Sequence, residues 1–239
     1  MSEEVRVLGC DIAAGGDAQT VVAVRVGWEV TKLHAWREAD TMETVTRIVS
    51  IAAAIHPTLI VIDATGVGAG PFDRLRELGL PMFGFNGGEG TDATDASGAI
   101  RFLNKRAHAW WHLRELLHPM NPTPVTLPND PELLRDLVAP RYSTEAQGGR
   151  LRLEKKTEVA KRIGRSPDKG DAVVLAFYDQ DWSVFETGYT VHTPQSLKEE
   201  LAAKEREERE RAGQQPMNVD GLLFKDVDKG RWIHRDQWW

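Results

Sequence analysis

Short apolar runs separated by turn residues dominate the first 85 residues of the chain. Gly27 and Trp28 form a tight turn between the second and third runs, which predicts an antiparallel meander of three strands. Residues 41–56 have apolar side chains at helical spacing, and Pro57 ends this helix. The predicted strands are 5–10, 20–26, 29–36, 58–63 and 81–85, and a short helix over 71–78 precedes the last of them.

The predicted order of elements is β-β-β-α-β-α-β, and the fourth strand is expected to run parallel to the first. This order predicts an α/β domain with a mixed five-stranded sheet flanked by helices. Further along the chain, the patterns predict helices over 104–118, 130–138 and 156–164, a β-hairpin within 140–154, and another helix after the turn SPDKG.

The character of the chain changes at Pro194. Residues 196–213 are highly charged and have little apolar face, which is typical of a solvated helix or a flexible segment. We therefore expect one domain over residues 1–193 and a charged helical or flexible tail over residues 194–239.

Acidic side chains occupy corresponding places in the predicted fold. Asp11 follows the first strand and Asp63 ends the fourth, so parallel pairing brings both carboxylates to one edge of the sheet. Asp171 begins a late apolar helix that can pack on the sheet, and Asp168 lies three residues before it. Any one of these is explained by the preference of aspartate for turns and helix starts, and Asp17 in the first turn is best explained in that way.

Carboxylate oxygens are the ligands that Mg²⁺ prefers, and two such ions can hydrolyse a phosphodiester. The combination of fold order and converging acids therefore predicts a site for Mg²⁺ or Mn²⁺, with two ions expected. The catalytic candidates are Asp11, Asp63 and Asp171, and the metal-ligand candidates are these three and Asp168.

Charge is unevenly distributed along the chain, whose net charge is −6. Residues 1–100 contain 7 Lys and Arg against 14 Asp and Glu, whereas residues 101–170 contain 14 against 8. This balance argues against a protein that coats nucleic acid permanently, and it fits an acidic site bordered by a basic surface. Candidate contacts to DNA phosphates, which could equally be solvated surface residues, are Lys155, Lys156, Arg101, Lys105 and Arg106.

The single cysteine, Cys10, excludes an internal disulfide and favours a reducing compartment. Its strand position, next to Asp11, directs it to the opposite face of the sheet, where we expect a core residue. The sequence has no apolar run of 18 residues, so no membrane association is expected.

Four segments carry a resemblance to a known family: GCDIAAGGDAQTVVAVRVG, LIVIDATGVGAG, FLNKRAHAWWHLRELL, and the stretch from LRDLVAPRYS to SPDKGDAVVLAF. In this order, from about residue 5 to residue 178, they resemble the nuclease domain of the large terminase subunit of tailed bacteriophages. The resemblance implies a ribonuclease-H-like fold and cutting of concatemeric double-stranded DNA with Mg²⁺ or Mn²⁺. It also implies that Asp11, Asp63 and Asp171 bind metal, with Asp168 nearby.

The chain differs from whole large terminases because it lacks the G-x-x-x-x-G-K-[ST] loop of a packaging ATPase. We therefore expect the nuclease half alone, either excised or separately encoded. The resemblance implies that its partners are a terminase ATPase domain, the portal protein and the small terminase subunit, in the cytoplasm of an infected bacterial host.

Two alternatives remain open at the level of sequence. The first is a structure-selective nuclease similar to Holliday-junction resolvases, which share the fold. The second is a non-catalytic assembly module of the packaging motor that recruits partners through its tail.

Overall fold

A computed structural model describes residues 4–16, 18–144, 147–178, 223–226 and 231–234. The chain divides into two units, Met1–Val191 and His192–Trp239, and each is described by itself. Asp17, residues 196–213 and the expected boundary after residue 193 lie outside the described residues. Those three predictions therefore stay predictions.

A mixed five-stranded sheet forms the centre of the first unit. Its strands are β1 (Arg6–Asp11), β2 (Thr20–Val26), β3 (Glu29–Trp36), β4 (Leu59–Asp63) and β5 (Met82–Phe85). The spatial order is β3-β2-β1-β4-β5. The first three strands pair antiparallel, while β1, β4 and β5 run parallel to one another. The predicted meander, the parallel pairing of the fourth strand with the first, and the fold class are confirmed.

Six helices of the first unit are α1 (Thr41–Ile55), α2 (Ala69–Glu77), α3 (Lys105–Leu116), α4 (Pro131–Val138), α5 (Lys156–Ile163) and α6 (Asp168–Ala176). Three of the helices are capped by the residue that precedes them: Asp40 before α1, Asn104 before α3 and Asp130 before α4. Each of these side chains accepts a hydrogen bond from a backbone amide in the first turn of its helix. The first and last residues of the helices agree with the predicted boundaries to within three residues. No helix in the described part of the chain is long and apolar enough to cross a membrane.

The two faces of the sheet bury separate cores, because successive strand residues point to opposite sides. Val7, Leu59 and Val61 belong to one core, which also contains the apolar residues of α3 and α6. Leu8 and Cys10 belong to the other, which also contains residues of α1 and α2. Cys10 is fully buried there, as predicted.

Helix α6 packs directly against β1 at Gly9. A β-carbon at this position would lie 2.2 Å from the Ala172 carbonyl oxygen and 2.3 Å from the Ala176 nitrogen. Only glycine therefore allows the two backbones to approach so closely, and this contact places the start of α6 beside the carboxyl end of β1.

The predicted hairpin within 140–154 is present in a reduced form. Only β6 (Tyr142–Ser143) and β7 (Arg152–Leu153) pair, antiparallel, so the ladder is two residues long. In the second unit, β8 (Leu223–Asp226) and β9 (Arg231–His234) form an antiparallel pair that the sequence analysis did not predict.

Candidate active site

Asp11 and Asp63 lie at the carboxyl ends of two neighbouring parallel strands. The register of β1 and β4 pairs Cys10 with Ile62, so the two aspartates follow at the next position of each strand. Asp11 has the same strand parity as Val7, and Asp63 the same parity as Val61, so both lie on the face covered by α6.

The first turn of α6 carries the other two acids. Asp168 is its first residue and Asp171 its fourth, and both are buried, with 6 % and 9 % of their surfaces exposed. Because the two residues are three apart on a helix, their side chains lie on the same side. The sequence predicted a turn over SPDKG with the helix starting after it, whereas the helix already begins at Asp168, because Lys169 and Gly170 adopt its first turn.

The ammonium group of Lys156, the first residue of α5, lies among three of the carboxylates. Its Nζ is 2.7 Å from Asp11 Oδ2, 3.1 Å from Asp168 Oδ1 and 3.1 Å from Asp171 Oδ2. A single positive charge therefore bridges acids from β1 and α6, whose mutual repulsion it reduces.

Hydrogen bonds orient the remaining oxygens of the α6 acids. Asp171 Oδ1 accepts a hydrogen bond from Trp110 Nε1 at 3.0 Å and another from Arg106 Nη2 at 3.3 Å. Asp168 Oδ2 accepts a hydrogen bond from the backbone nitrogen of Gln19 at 2.8 Å. Each acid thus has one oxygen held by the protein and one directed at Lys156.

Asp63 is held differently. Its Oδ1 accepts hydrogen bonds from the Thr65 backbone nitrogen at 3.0 Å and from the Thr65 hydroxyl at 2.6 Å. This local turn follows the expected behaviour of a strand-end aspartate. Asp63 nevertheless lines the same pocket as Asp11, Asp171 and Lys156.

Burial and neighbouring charges shift the pKa values of the groups in the pocket. Burial raises the pKa of Asp11 to about 8; Lys156 opposes this rise, while Asp171 and Asp168 add to it. Burial also disfavours the charged form of Asp171, but Lys156 and Arg106 together hold the pKa of this carboxyl below its usual range. Burial disfavours the charged form of Lys156 too, yet the three acids raise its pKa.

The described residues contain no group of three or more His, Cys, Asp or Glu side chains arranged to hold a metal ion. The acids are separated by the Lys156 ammonium, and Asp63 is bonded to Thr65. The donor chemistry still suits a hard cation, because the buried Asp171 Oδ2 is a carboxylate oxygen that already contacts a positive charge, the Lys156 ammonium at 3.1 Å.

The predicted phosphate contacts have different surroundings. Arg106 donates to Asp171 and to the Glu154 carbonyl oxygen, so its guanidinium is part of the acidic pocket. Lys105 forms an ion pair with Glu89 at 3.0 Å, whereas Arg101 and Lys155 are both exposed. Trp110 was not predicted as a site residue. The one sequence signal for it is its position one helical turn after Arg106, which places both side chains on the same face of α3.

No protein-family model matches the sequence, and no curated protein is significantly similar to it. Solved structures, in contrast, share its fold. The nuclease domain of the large terminase subunit gp2 of bacterial virus Sf6 superposes with a TM-score of 0.62 at 21 % identity, covering 74 % of this chain and 89 % of that one. The chain has the fold of a large-terminase nuclease domain.

Two further structures agree. The large terminase nuclease of thermophilic phage G20c, solved with bound magnesium, has a TM-score of 0.53 at 18 % identity, covering 75 % of this chain and 83 % of that one. The corresponding domain of Thermus phage P74-26 has a TM-score of 0.51 at 17 % identity, covering 74 % and 80 %. The Sf6 domain was also solved with manganese. The resemblance expected from the sequence motifs is thereby confirmed at the level of the fold.

Proposed function

We propose that the chain is a metal-dependent endodeoxyribonuclease of viral genome packaging, which cuts concatemeric double-stranded DNA with little sequence specificity. The observation that carries this proposal is that Asp11, Asp63 and Asp171, from β1, β4 and α6, line one pocket on the fold of a terminase nuclease domain. The use of divalent ions is supported by the metals present in the related structures.

Asp11, Asp63 and Asp171 would hold Mg²⁺ or Mn²⁺, with Asp168 as a fourth ligand or as a support for the others. Two ions bound there would supply an activated water and would stabilise the leaving oxygen of the phosphodiester. Trp110 and Arg106 fix the orientation of Asp171 through its Oδ1, which leaves Oδ2 directed into the site. Lys156, whose ammonium lies among these carboxylates, would pair with the scissile phosphate.

The proposal also concerns the setting of the reaction. The chain would act in the cytoplasm of the infected bacterial host, beside a terminase ATPase domain, the portal protein and the small terminase subunit. These partners are proposed from the family resemblance, and the motor that presents the DNA would control cleavage.

Nicking of supercoiled plasmid in the presence of Mn²⁺ or Mg²⁺ tests the activity. We expect wild-type protein to nick and then linearise the plasmid, and Asp63→Ala to lose at least about 100-fold in rate because a metal ligand is removed. Asp73→Ala serves as the matched control, since Asp73 is an exposed acid on α2 that pairs with Arg76. This control should cut at the wild-type rate.

Two results would contradict the proposal. Equal inactivity of wild type and Asp63→Ala, across metals and protein concentrations, would favour a non-catalytic assembly module. Much faster cutting of a four-way junction than of linear duplex would favour a structure-selective, resolvase-like nuclease.

A further inference from the structure

Helix α6, which carries Asp168 and Asp171, begins without a capping side chain of its own. The residue before it is Pro167, which makes no side-chain hydrogen bond to the helix. The amide of Asp171 donates to the Pro167 carbonyl oxygen, but the amides of Lys169 and Gly170 have no such partner within the helix.

A residue of another helix takes these two amides. Asp136, on α4, accepts hydrogen bonds through Oδ2 from the Lys169 nitrogen at 3.1 Å and from the Gly170 nitrogen at 3.2 Å. Its side chain is completely buried, and its Oδ1 lies 2.5 Å from Arg165 Nη2. Arg165 therefore balances a charge that would otherwise be too costly to bury.

The packing around these bonds is tight. A β-carbon at Gly170 would lie 2.9 Å from Asp136 Cβ and 2.9 Å from Trp110 Cη2, so the first turn of α6 is held between α4 and α3. The ammonium of Lys169 adds a second connection to α4, at 2.6 Å from Asp130 Oδ2 and 2.8 Å from Glu132 Oε2.

We propose that Asp136 is a positioning residue for the acidic pocket: by capping α6 from a neighbouring helix, it sets where the carboxylates of Asp168 and Asp171 lie. The inference rests on the proposed function. Unpaired amides at a helix start attract carboxylates. Because Asp136 satisfies the amides of Lys169 and Gly170, the carboxylates of Asp168 and Asp171 can each direct an oxygen at Lys156 and into the site.

The test compares Asp136→Ala and Asp136→Asn with Ile48→Ala. Ile48 is a fully buried residue of α1 in the core on the other face of the sheet, so its truncation destabilises the protein without touching α6. Four quantities are measured at a temperature where circular dichroism shows that each variant is folded. They are the Mn²⁺ affinity by calorimetry, kcat and KM for plasmid cutting, and hydrogen exchange of the first turn of α6.

Residues that orient metal ligands change metal affinity or activity by about 10–100-fold when they are removed. We expect Asp136→Ala to weaken Mn²⁺ binding and to lower kcat by about tenfold or more, with KM changed by less than about threefold. Exchange at Lys169 and Gly170 should accelerate. Ile48→Ala should keep Mn²⁺ affinity and kcat within about twofold of wild type. Asp136→Asn, whose amide oxygen can still accept a hydrogen bond, should have values between those of wild type and Asp136→Ala.

A folded Asp136→Ala variant with wild-type Mn²⁺ affinity and kcat would overturn the inference. Losses of Mn²⁺ affinity and kcat that are equally large in Ile48→Ala would overturn it too. If Asp136→Ala does not fold, Asp136→Asn decides: unchanged affinity and unchanged exchange would overturn it. Wild-type protein that neither binds Mn²⁺ nor cuts DNA would instead overturn the proposed function, and this inference with it.

Discussion

The ammonium of Lys156 is the positive charge shared by Asp11, Asp168 and Asp171, so its removal should change the stability of the protein. In Lys156→Met the acids lose their shared partner, so the metal-free protein should lose about 1–3 kcal/mol of unfolding free energy; this range is discounted because 35 % of the lysine side chain is exposed. Added Mn²⁺ should close most of this gap, because it supplies the missing charge.

Urea unfolding in EDTA and in excess Mn²⁺ measures both effects. Lys161→Met is the matched control, since Lys161 is an exposed lysine of the same helix, α5, and it should change little in either condition. If Lys156→Met loses the same unfolding free energy with and without Mn²⁺, Lys156 does not act as the cation that balances the carboxylates.

The raised pKa of Asp11 predicts an unusual pH dependence of stability. Its pKa is about 8 in the folded protein and about 4 in an unfolded chain. Between these values the folded state retains a proton that the unfolded state has lost. Asp11 therefore makes stability fall as pH rises through this window, by at most about 1.4 kcal/mol per pH unit.

Asp11→Asn removes this contribution, because the amide does not titrate. In EDTA, its unfolding free energy relative to wild type should improve steadily from about pH 5 to about pH 8. Asp73→Asn, an exposed acid on α2, controls for the loss of one charge. Parallel stability curves for wild type and Asp11→Asn would show that Asp11 is ionised throughout.

At the residue scale, sequence reasoning predicted that the acids converge, but it did not predict which residues contact them. Asp11, Asp63 and Asp171 have strong local signals, because two of them end apolar strands and one lies in the first turn of an apolar helix. The contact of Trp110 with Asp171 spans 61 residues, and that of Lys156 with Asp11 spans 145. Such contacts depend on how helices pack on the sheet, which local patterns do not contain.

At the scale of elements, the approach of α6 to β1 is the contact on which the site depends. Gly9→Ala places a methyl group against backbone atoms of α6, which cannot rotate away. We expect a loss of about 3 kcal/mol or more, since overpacking that displaces backbone costs at least the usual 1–3 kcal/mol. Mn²⁺ affinity should fall as well, because Asp168 and Asp171 move with the helix.

Gly70→Ala is the matched control for this glycine. Gly70 lies within α2, and a β-carbon there would meet nothing within 4 Å. Since alanine favours helix more than glycine does, this variant should be unchanged or more stable by up to about 1 kcal/mol. Thermal unfolding of both variants gives the comparison, and equal stability of Gly9→Ala and wild type would contradict the direct packing of α6 on β1.

The order and direction of elements were predictable because the apolar periods of the strands and helices are distinct. The sheet order followed from the βαβ connection and the tight turn at Gly27. The cap that Asp136 provides to α6 was not predictable, since a helix start normally takes its cap from the preceding residue, and here that residue is Pro167. The hairpin of β6 and β7 was overestimated because its sequence alternation extends beyond the residues that pair.

At the scale of the whole molecule, the distribution of charge matters more than its sum. The net charge of −6 opposes DNA binding, while the 14 basic residues of positions 101–170 supply a local surface for phosphates. Helices α3 and α5 lie within this part of the chain, and they contribute Arg106 and Lys156 to the lining of the acidic pocket. A chain with this charge balance is expected to bind DNA only weakly by itself.

The isolated protein should therefore bind duplex DNA weakly, without sequence preference and with strong dependence on salt. Phosphate contacts release counterions, so affinity should fall at least about tenfold between about 50 and about 200 mM NaCl. Fluorescence anisotropy with two unrelated duplexes, using the Asp63→Ala variant to prevent cutting, measures this fall. Arg101→Ala should weaken both complexes equally, whereas Arg37→Ala, an exposed arginine in the acidic first part of the chain, should not. Tight binding of only one duplex would contradict control of cleavage by the motor and would assign recognition to this chain itself.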